Sequence, residues 1–356
     1  MEIMNYDEIL KAFGLVNADF ECEAFGKGNI NSTFGLKRKY ASEPEFILQK
    51  INTSIFTQPQ KIATNWKLAY DFLQLDAPAY PMIHFIQTID QQDFYTDKNS
   101  KVWRLTAFVR DSKTLETVSN PEEAYLTSFM FGQFASHLSK ADASKFHDIL
   151  PGFHNLIFRE MQFQEAVKSA SERRLNQSAD MLHQLSDFKS IVKEYRYIFD
   201  NNLLPVRIFH HDAKIGNILF SKTSGKPLGI IDFDTLMPGT VISDMGDMLR
   251  TLTSSASEDE TDISKIDFRE EFVAAILQGY KKAMEDVMLP EESKRLYFAG
   301  LVLVYMQAIR FLGDFLNNDR YYQIRYPEHN LMRAKNQFQL LRLMMDNRTE
   351  IERKYL

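Results

Sequence analysis

The densest group of reactive side chains in the 356-residue chain is His210-His211-Asp212-Ala213-Lys214-Ile215-Gly216-Asn217, followed by Ile230-Ile231-Asp232-Phe233-Asp234. Between them the apolar runs 218–220 and 228–231 flank SKTSGKP, where Ser224-Gly225 supplies a flexible midpoint, so the segment reads as a hairpin. Folding about that midpoint pairs Ile218 with Ile231 and sets Asn217 opposite Asp232, give or take two residues of register. Three oxygen donors then converge: the Asp212 carboxylate, the Asn217 amide and the Asp232 carboxylate. Hard oxygen ligands of this kind suit Mg²⁺, which takes one or two carboxylates and completes its shell with water and phosphate oxygens. Asp212 is the candidate base, able to accept a proton from a substrate hydroxyl, and Lys214 can neutralise charge growing on a transferred phosphoryl group. The plain alternative is a solvated acidic loop; the hairpin and the second aspartate weigh against it.

The elements that must position these groups fall into two compositions. Between Phe20 and Phe108, short β-prone runs alternate with turn residues, interrupted by one helical segment over Gln58 to Leu75 with an apolar stripe of Ile62, Trp66, Ala69 and Leu73. From Pro121 onward the period lengthens, and Glu122 to Leu138, Leu156 to Leu175, Asp180 to Asn201, Phe268 to Met284, Glu291 to Asn317 and His329 to Met345 predict helices around the β island Ile218 to Ile231. No repeat and no Pro/Ser-rich linker separates them. The economical fold is α+β: a small mainly β lobe over 1–109, a larger mainly α lobe over 110–356 with an embedded hairpin, and a cleft between.

Composition narrows the partners. With 44% hydrophobic and 25% charged residues the chain folds, and a net charge of −6 gives no basic field for a nucleic-acid backbone or an anionic membrane. The single cysteine, Cys22, excludes an internal disulfide and fits a reducing compartment. The acidic amino terminus lacks a secretory pattern, and the most apolar stretch, Ala299 to Gly313, is broken by Gln307 and Arg310, so a cytoplasmic protein without a membrane span or obligate protein partner is expected.

The spacing HxDxKxxN, followed by an apolar strand and then Asp, matches the catalytic loop and metal-binding aspartate of the protein-kinase fold. Phosphate handling should then lie in the β lobe, where Gly26-Lys27-Gly28-Asn29 sits between two strands: either a phosphate-covering turn through Gly26 and Gly28 or a bland hairpin turn. Lys50, ending the strand Phe46 to Lys50, either grips phosphates or is an ordinary strand lysine, with Gln49 on the opposite face. Adenine is expected against backbone groups of the junction at Phe108 and Val109. No GxxxxGK[ST] loop is present.

In order along the chain, GNINSTF, FILQKINTSIF, HHDAKIGNILF, IIDFDTLMPGTVISDMGDMLR and RYPEHNLMRAKNQ resemble the N-acetylhexosamine 1-kinases of the aminoglycoside phosphotransferase and choline kinase superfamily, over about residues 20 to 340. HxDxxxxN and the later Asp are superfamily-wide; NTSIF, DTLMPG and YPEHN are narrower and point to the sugar 1-kinase branch. The resemblance implies ATP- and Mg²⁺-dependent transfer of the γ-phosphoryl group to the anomeric hydroxyl of N-acetylglucosamine or N-acetylgalactosamine. It makes Asp212 the base, Asn217 and Asp232 the metal ligands, and Asp234 a contact to metal or sugar. It makes Asp244 the buried acid that, with His210, supports the loop, and it places Asn29, Arg310 and Tyr321 toward the sugar. The family often lacks a lysine at the place of Lys50.

Arg310 has a second reading from its own helix, an intrahelical pair with Asp314. YPEHN reads as a loop and helix N-cap, and the acidic stretch Ser254 to Asp262 as a solvated loop. Two other functions fit the same motifs: a kinase of another hydroxyl acceptor, such as choline, homoserine, methylthioribose or an aminoglycoside, and a catalytically silent binding protein that keeps the fold.

Overall fold

The computed structural model describes residues 6–26 and 30–356. Its strands are β1 (Phe20–Ala24), β2 (Ser32–Arg38), β3 (Phe46–Ile51), β4 (Phe85–Ile86), β5 (Tyr95–Thr96), β6 (Val102–Ala107), β7 (Ser112–Lys113), β8 (Arg207–Phe209), β9 (Ile218–Ser221), β10 (Pro227–Ile230) and β11 (Met237–Gly239). Its helices are α1 (Asp7–Ala12), α2 (Pro59–Asp76), α3 (Pro121–His137), α4 (Leu156–Ser169), α5 (Glu172–Gln177), α6 (Ala179–Gln184), α7 (Lys189–Asp200), α8 (Ile242–Leu252), α9 (Glu270–Ala283), α10 (Pro290–Ser293), α11 (Leu296–Leu316) and α12 (His329–Tyr355). They form two compact units. The first holds the described residues up to Lys113, with Ser144–Leu150 and Leu219–Leu236; the second holds Thr114–Ala143, Pro151–Ile218 and Met237–Leu356.

In the first unit β1-β2-β3-β6-β4 run as an antiparallel sheet, with β5 also on β6. Strand alternation gives it two different faces. Leu48, Trp103 and Leu105 point to one side, where they pack with Ile9, Leu10 and Phe13 of the α1 region. Ile51 and Val102 point to the other, against Ile62 of α2. Helix α2 starts at Pro59, whose fixed φ suits the first turn, and buries Ile62, Trp66, Ala69 and Leu73 as their spacing requires. A second sheet, β10-β9-β7, carries the expected hairpin. Its turn closes with Ser221 N–H on the Lys226 carbonyl, 2.8 Å, so Ser221 opposes Lys226 and the register is two residues from an Ile218–Ile231 pairing.

The second unit is helical around α11, which packs on α8, α12 and α4. Helix α11 is long and apolar enough to cross a membrane by composition, yet its side chains are almost all buried against these neighbours. Helix α8 approaches it so closely that a Cβ on Gly246 would lie 2.5 Å from the Ala299 carbonyl oxygen, which explains glycine there. Two expected helices are broken. Ser171 ends the run from Leu156 by turning extended and capping Arg174 N–H of α5. The run from Asp180 tightens to a 3₁₀ turn at Leu185–Phe188, where the Ser186 hydroxyl donates to the His183 carbonyl. The acidic stretch is a loop with Ser255, Ser257, Glu258, Thr261 and Asp262 exposed, and one anchor holds it: Asp259 accepts from Arg333 (2.6 Å), His329 (3.0 Å) and Arg325 (3.3 Å) and fastens it to the start of α12.

Candidate active site

The loop 210–217 leaves β8, which pairs with β11, and is tied down from α8. The Asp244 carboxylate, in the first turn of α8, accepts the backbone N–H groups of His210 (3.0 Å) and His211 (2.7 Å). It is fully buried, and burial pushes its carboxyl up to about 6 against the lowering effect of those bonds and of His210. His211 adopts a left-handed backbone, φ +63°, with Nδ1 3.1 Å from the Phe209 carbonyl oxygen. Gly239 makes room for its ring, since a Cβ there would lie 2.5 Å from Nε2. Burial pushes the His211 imidazole down to about 4. His210 packs edge-on against Phe131, its Nδ1 accepting from Asp212 N–H at 3.3 Å.

This scaffold holds Asp212 half-buried with its Oδ2 receiving Lys214 Nζ and Asn217 Nδ2, both at 2.8 Å. Asn217 Nδ2 also donates to the Asp212 carbonyl at 2.9 Å. Burial alone would raise the Asp212 carboxyl; the Lys214 ammonium, with help from His210 and Asn217, more than offsets it and holds the group below the usual carboxylate range. Asp212 is therefore ionised at neutral pH. Because Asn217 donates through its nitrogen, its Oδ1 is the atom left for a cation. Sequence reasoning gave no role to Asp247, one turn beyond Asp244, which pairs with Arg250 at 2.8 Å. Burial raises the Asp247 carboxyl, Arg250 opposes that, and the charge of Asp212 adds to the rise.

A second group lies on α11 and the loop after it. Arg310 is half-buried, its guanidinium over the rings of Phe153 (5.5 Å), Tyr322 (5.6 Å) and Tyr321 (5.8 Å), with Nη1 on Gln307 Oε1 at 3.2 Å. The intrahelical pair with Asp314 does not form. Asp314 instead accepts the N–H groups of Arg320, Tyr321 and Tyr322 and the amide of Asn330, because four converging donors outcompete one side chain four residues back. Asn330 of YPEHN thus bridges Asp314 and Asp319 from inside α12 rather than capping it. Arg159 was not foreseen: burial and then repulsion from Arg310 push its guanidinium down to about 10. Among the described residues neither arginine meets a carboxylate at ion-pair distance.

In the first unit Asp232 also has a left-handed backbone, φ +66°, and leads into a single turn, Phe233–Thr235. Asp234 was expected to offer its carboxylate to metal or sugar. In the structure the residue is 2% exposed and its carboxylate is engaged by protein groups: Arg104 of β6 grips it bidentately, with Nη2 to Oδ2 at 3.1 Å, and Asn31 Nδ2 reaches Oδ2 at 2.5 Å. Arg104 itself went unnoticed; the signal was a lone arginine within the apolar run of β6, whose buried charge demands a partner. Lys50 pairs across the sheet with Trp103 and sits over that ring at 6.0 Å, on the α1 face, whereas Gln49, Arg104 and Asp234 occupy the other. At the junction, Phe108 N–H is given to the Glu45 carbonyl at 3.0 Å and the Val109 carbonyl accepts from the Ser112 hydroxyl. Gly26 has φ +73° with open space around it; Gly28 and Asn29 lie outside the described residues.

By their chemistry, the amide oxygen of Asn217, which precedes β9, and the carboxylate of Asp232, which follows β10, are each hard ligands of the kind Mg²⁺ takes. Among the described residues no three His, Cys, Asp or Glu side chains gather as a metal site, which excludes a His/Cys-rich centre from them. A kinase-like fold with an ionised aspartate braced by lysine and asparagine defines a phosphotransferase. The comparisons agree. The chain matches the phosphotransferase enzyme family over residues 21–290 and belongs to it. Among solved structures it is similar to a microcompartment-associated aminopropanol kinase (14% identity, 98% of both chains, TM-score 0.65). It is also similar to a spectinomycin phosphotransferase in complex with ADP and spectinomycin (12%, 98% and 99%, 0.61) and to a choline/ethanolamine kinase family protein from Mesorhizobium loti (14%, 98% of both, 0.58).

Proposed function

We propose that the protein is an ATP-dependent N-acetylhexosamine 1-kinase acting in the cytoplasm. The observation that carries the phosphoryl-transfer chemistry is the Asp212 carboxylate, held ionised by Lys214 and Asn217. The anomeric O1–H gives its proton to Asp212, O1 forms the bond to the γ-phosphorus, and the bond to the β-bridging oxygen breaks to release ADP. Lys214 offsets charge on the phosphoryl oxygens. Asn217 and Asp232 would hold Mg²⁺, which supplies further neutralisation of that charge.

The narrower motifs NTSIF, DTLMPG and YPEHN support the sugar acceptor. So does the group around Arg310. Two arginines without a carboxylate partner disfavour a cationic acceptor such as choline or an aminoglycoside, whereas guanidinium donors flanked by the rings of Phe153, Tyr321 and Tyr322 suit sugar hydroxyls. The test is a panel of acceptors with ATP and Mg²⁺, read by phosphorus NMR. An anomeric phosphate ester coupled to H1 is expected from N-acetylglucosamine or N-acetylgalactosamine. A product only from a primary alcohol acceptor would move the protein to another branch, and absence of ADP release with every acceptor would make it a silent binding protein.

A further inference from the structure

The mechanism uses Asp232 and leaves Asp234 and Arg104 without a task, although they form a nearly closed ring of polar contacts. Arg104 Nε donates to Gln49 Oε1 at 2.8 Å, and Gln49 Nε2 donates to Thr33 Oγ1 at 3.1 Å. The two terminal nitrogens of Arg104 hold Asp234, whose Oδ2 also takes Asn31 Nδ2. Asn31 Oδ1 in turn accepts the N–H of Asn52 just after β3 at 2.9 Å. The guanidinium lies over Trp66 of α2 at 5.2 Å, and Phe233 packs on the same ring at 5.1 Å. A buried arginine with every edge engaged is a fixed object, and it fixes what it holds.

What it holds is the residue two places after a strained one. A non-glycine residue in the left-handed region persists only where its surroundings over-determine it. Asp232 is such a residue, and the turn that follows it is anchored by Asp234. We propose that Arg104 is a positioning residue for the metal: by clamping Asp234 it keeps Asp232 in the left-handed backbone that aims its carboxylate at Mg²⁺, and through Asn31 it ties that setting to the start of β2. The cation of this sheet face is thus Arg104, acting through an aspartate, and not Lys50.

The inference rests on the reading that Asp232 is a metal ligand, and it needs no acceptor, so the sugar assignment does not bear on its test. The measurement is titration calorimetry of ADP with and without Mg²⁺ on the whole chain, together with the thermal midpoint. Wild type should bind ADP more tightly with Mg²⁺. Arg104→Lys keeps a cation against Asp234 but loses the fork and the bond to Gln49; its Mg²⁺-dependent gain should fall about three- to tenfold, with metal-free ADP affinity within about twofold of wild type. Arg104→Met paired with Asp234→Leu removes both charges without leaving one buried alone, so it should fold, and it should lose about tenfold or more of the gain. A purely structural pair would shift only the thermal midpoint. Unchanged Mg²⁺ gain in the folded double variant, or in Arg104→Lys, overturns this proposal alone; a wild type whose ADP affinity ignores Mg²⁺ overturns the metal reading and the proposal together.

Discussion

The loop around Asp212 and the group around Arg310 both place charge out of water in the helical unit, yet they solve the problem in opposite ways. In the loop every buried charge has a partner: Asp244 has two backbone N–H groups, Asp212 has Lys214 and Asn217, and Asp247 has Arg250. Around Arg310 the cations have hydrogen-bond acceptors but no counter-charge: Arg310 faces rings and Gln307, and Arg159 donates to the Phe153 carbonyl (3.1 and 3.2 Å) and to Gln162 Oε1 (2.8 Å) while Arg310 repels it. A charge-satisfied network is rigid and pre-set for a reaction that needs positioning more than adaptation. A region whose cations lack counter-charge, unsatisfied in that sense, keeps an unfavourable electrostatic contribution that a ligand with the right polar groups relieves. On the proposed function, the common chemistry would belong to the first region and acceptor choice to the second.

Breaking the satisfied region at its centre should have the largest consequence. Asp212→Asn keeps shape and the bond from Asn217 but removes the proton acceptor, and turnover should fall about a thousandfold while ADP affinity stays within about threefold of wild type. Steady-state kinetics and calorimetry on one preparation check both halves. A variant within tenfold of wild type would take the base role from Asp212.

Next in size is the pH dependence hidden in the brace beneath it. Asp244 has its folded pKa raised to about 6, so between its ordinary value of 3.8 and 6 the folded state holds a proton the unfolded state has lost. Its contribution is fully present at low pH and is lost as pH rises through that window, by about 3 kcal/mol. His211 runs the other way: depressed from 6.5 to about 4, it contributes stability above 6.5 that is lost as pH falls toward 4, by a similar amount. The two slopes oppose each other in wild type. Asp244→Asn should make stability rise more steeply with pH between 4 and 6 than it does in wild type, and His211→Asn, a residue that tolerates the left-handed backbone, should make it rise less. Denaturant midpoints at three pH values decide; parallel shifts in both variants would refute the opposition.

The satisfied region was largely legible in the sequence, and the unsatisfied one was not. Asp212, Lys214, Asn217 and Asp232 sit within one short stretch whose hairpin could be read from two apolar runs and a Ser-Gly turn, so local pattern sufficed. Asp234 was legible as a carboxylate but not as a clamp, because its partner Arg104 lies 130 residues earlier and no local rule links them. Arg159 and Arg310 stand on different helices, and only packing brings their charges close enough to repel. The face on which Lys50 points was a matter of strand parity; it needed to be known which face of the sheet meets α1 and which meets α2, and both neighbours are distant in sequence.

The unsatisfied region is sharpened by removing its cations one at a time. Arg310→Met should raise the acceptor KM about tenfold with little change in the KM for ATP, the loss of a charged hydrogen-bonding group toward the acceptor alone. Arg159→Met should leave the thermal midpoint within a few degrees of wild type, since the desolvation and repulsion it relieves oppose the hydrogen bonds to Phe153 and Gln162 that it deletes. A fall well beyond that range would place that arginine with the satisfied groups and dissolve the contrast.

The smallest effect is expected where the sheet of the first unit repeats the same contrast on its two faces. Arg104 is buried and fully engaged, while Lys50 is half-buried on the opposite face with its ammonium over the edge of the Trp103 environment. A lysine there contributes chiefly the packing of its methylene stem, which methionine reproduces without the charge. Lys50→Met should therefore leave stability within about 0.5 kcal/mol and the KM for ATP within about twofold. The measurement is informative because a phosphate-gripping lysine would behave otherwise: a tenfold rise in that KM with an unchanged acceptor KM would mean that phosphates are met from the α1 face, and strand parity would then put Gln49 and Arg104, not Lys50, on the side turned away from the nucleotide.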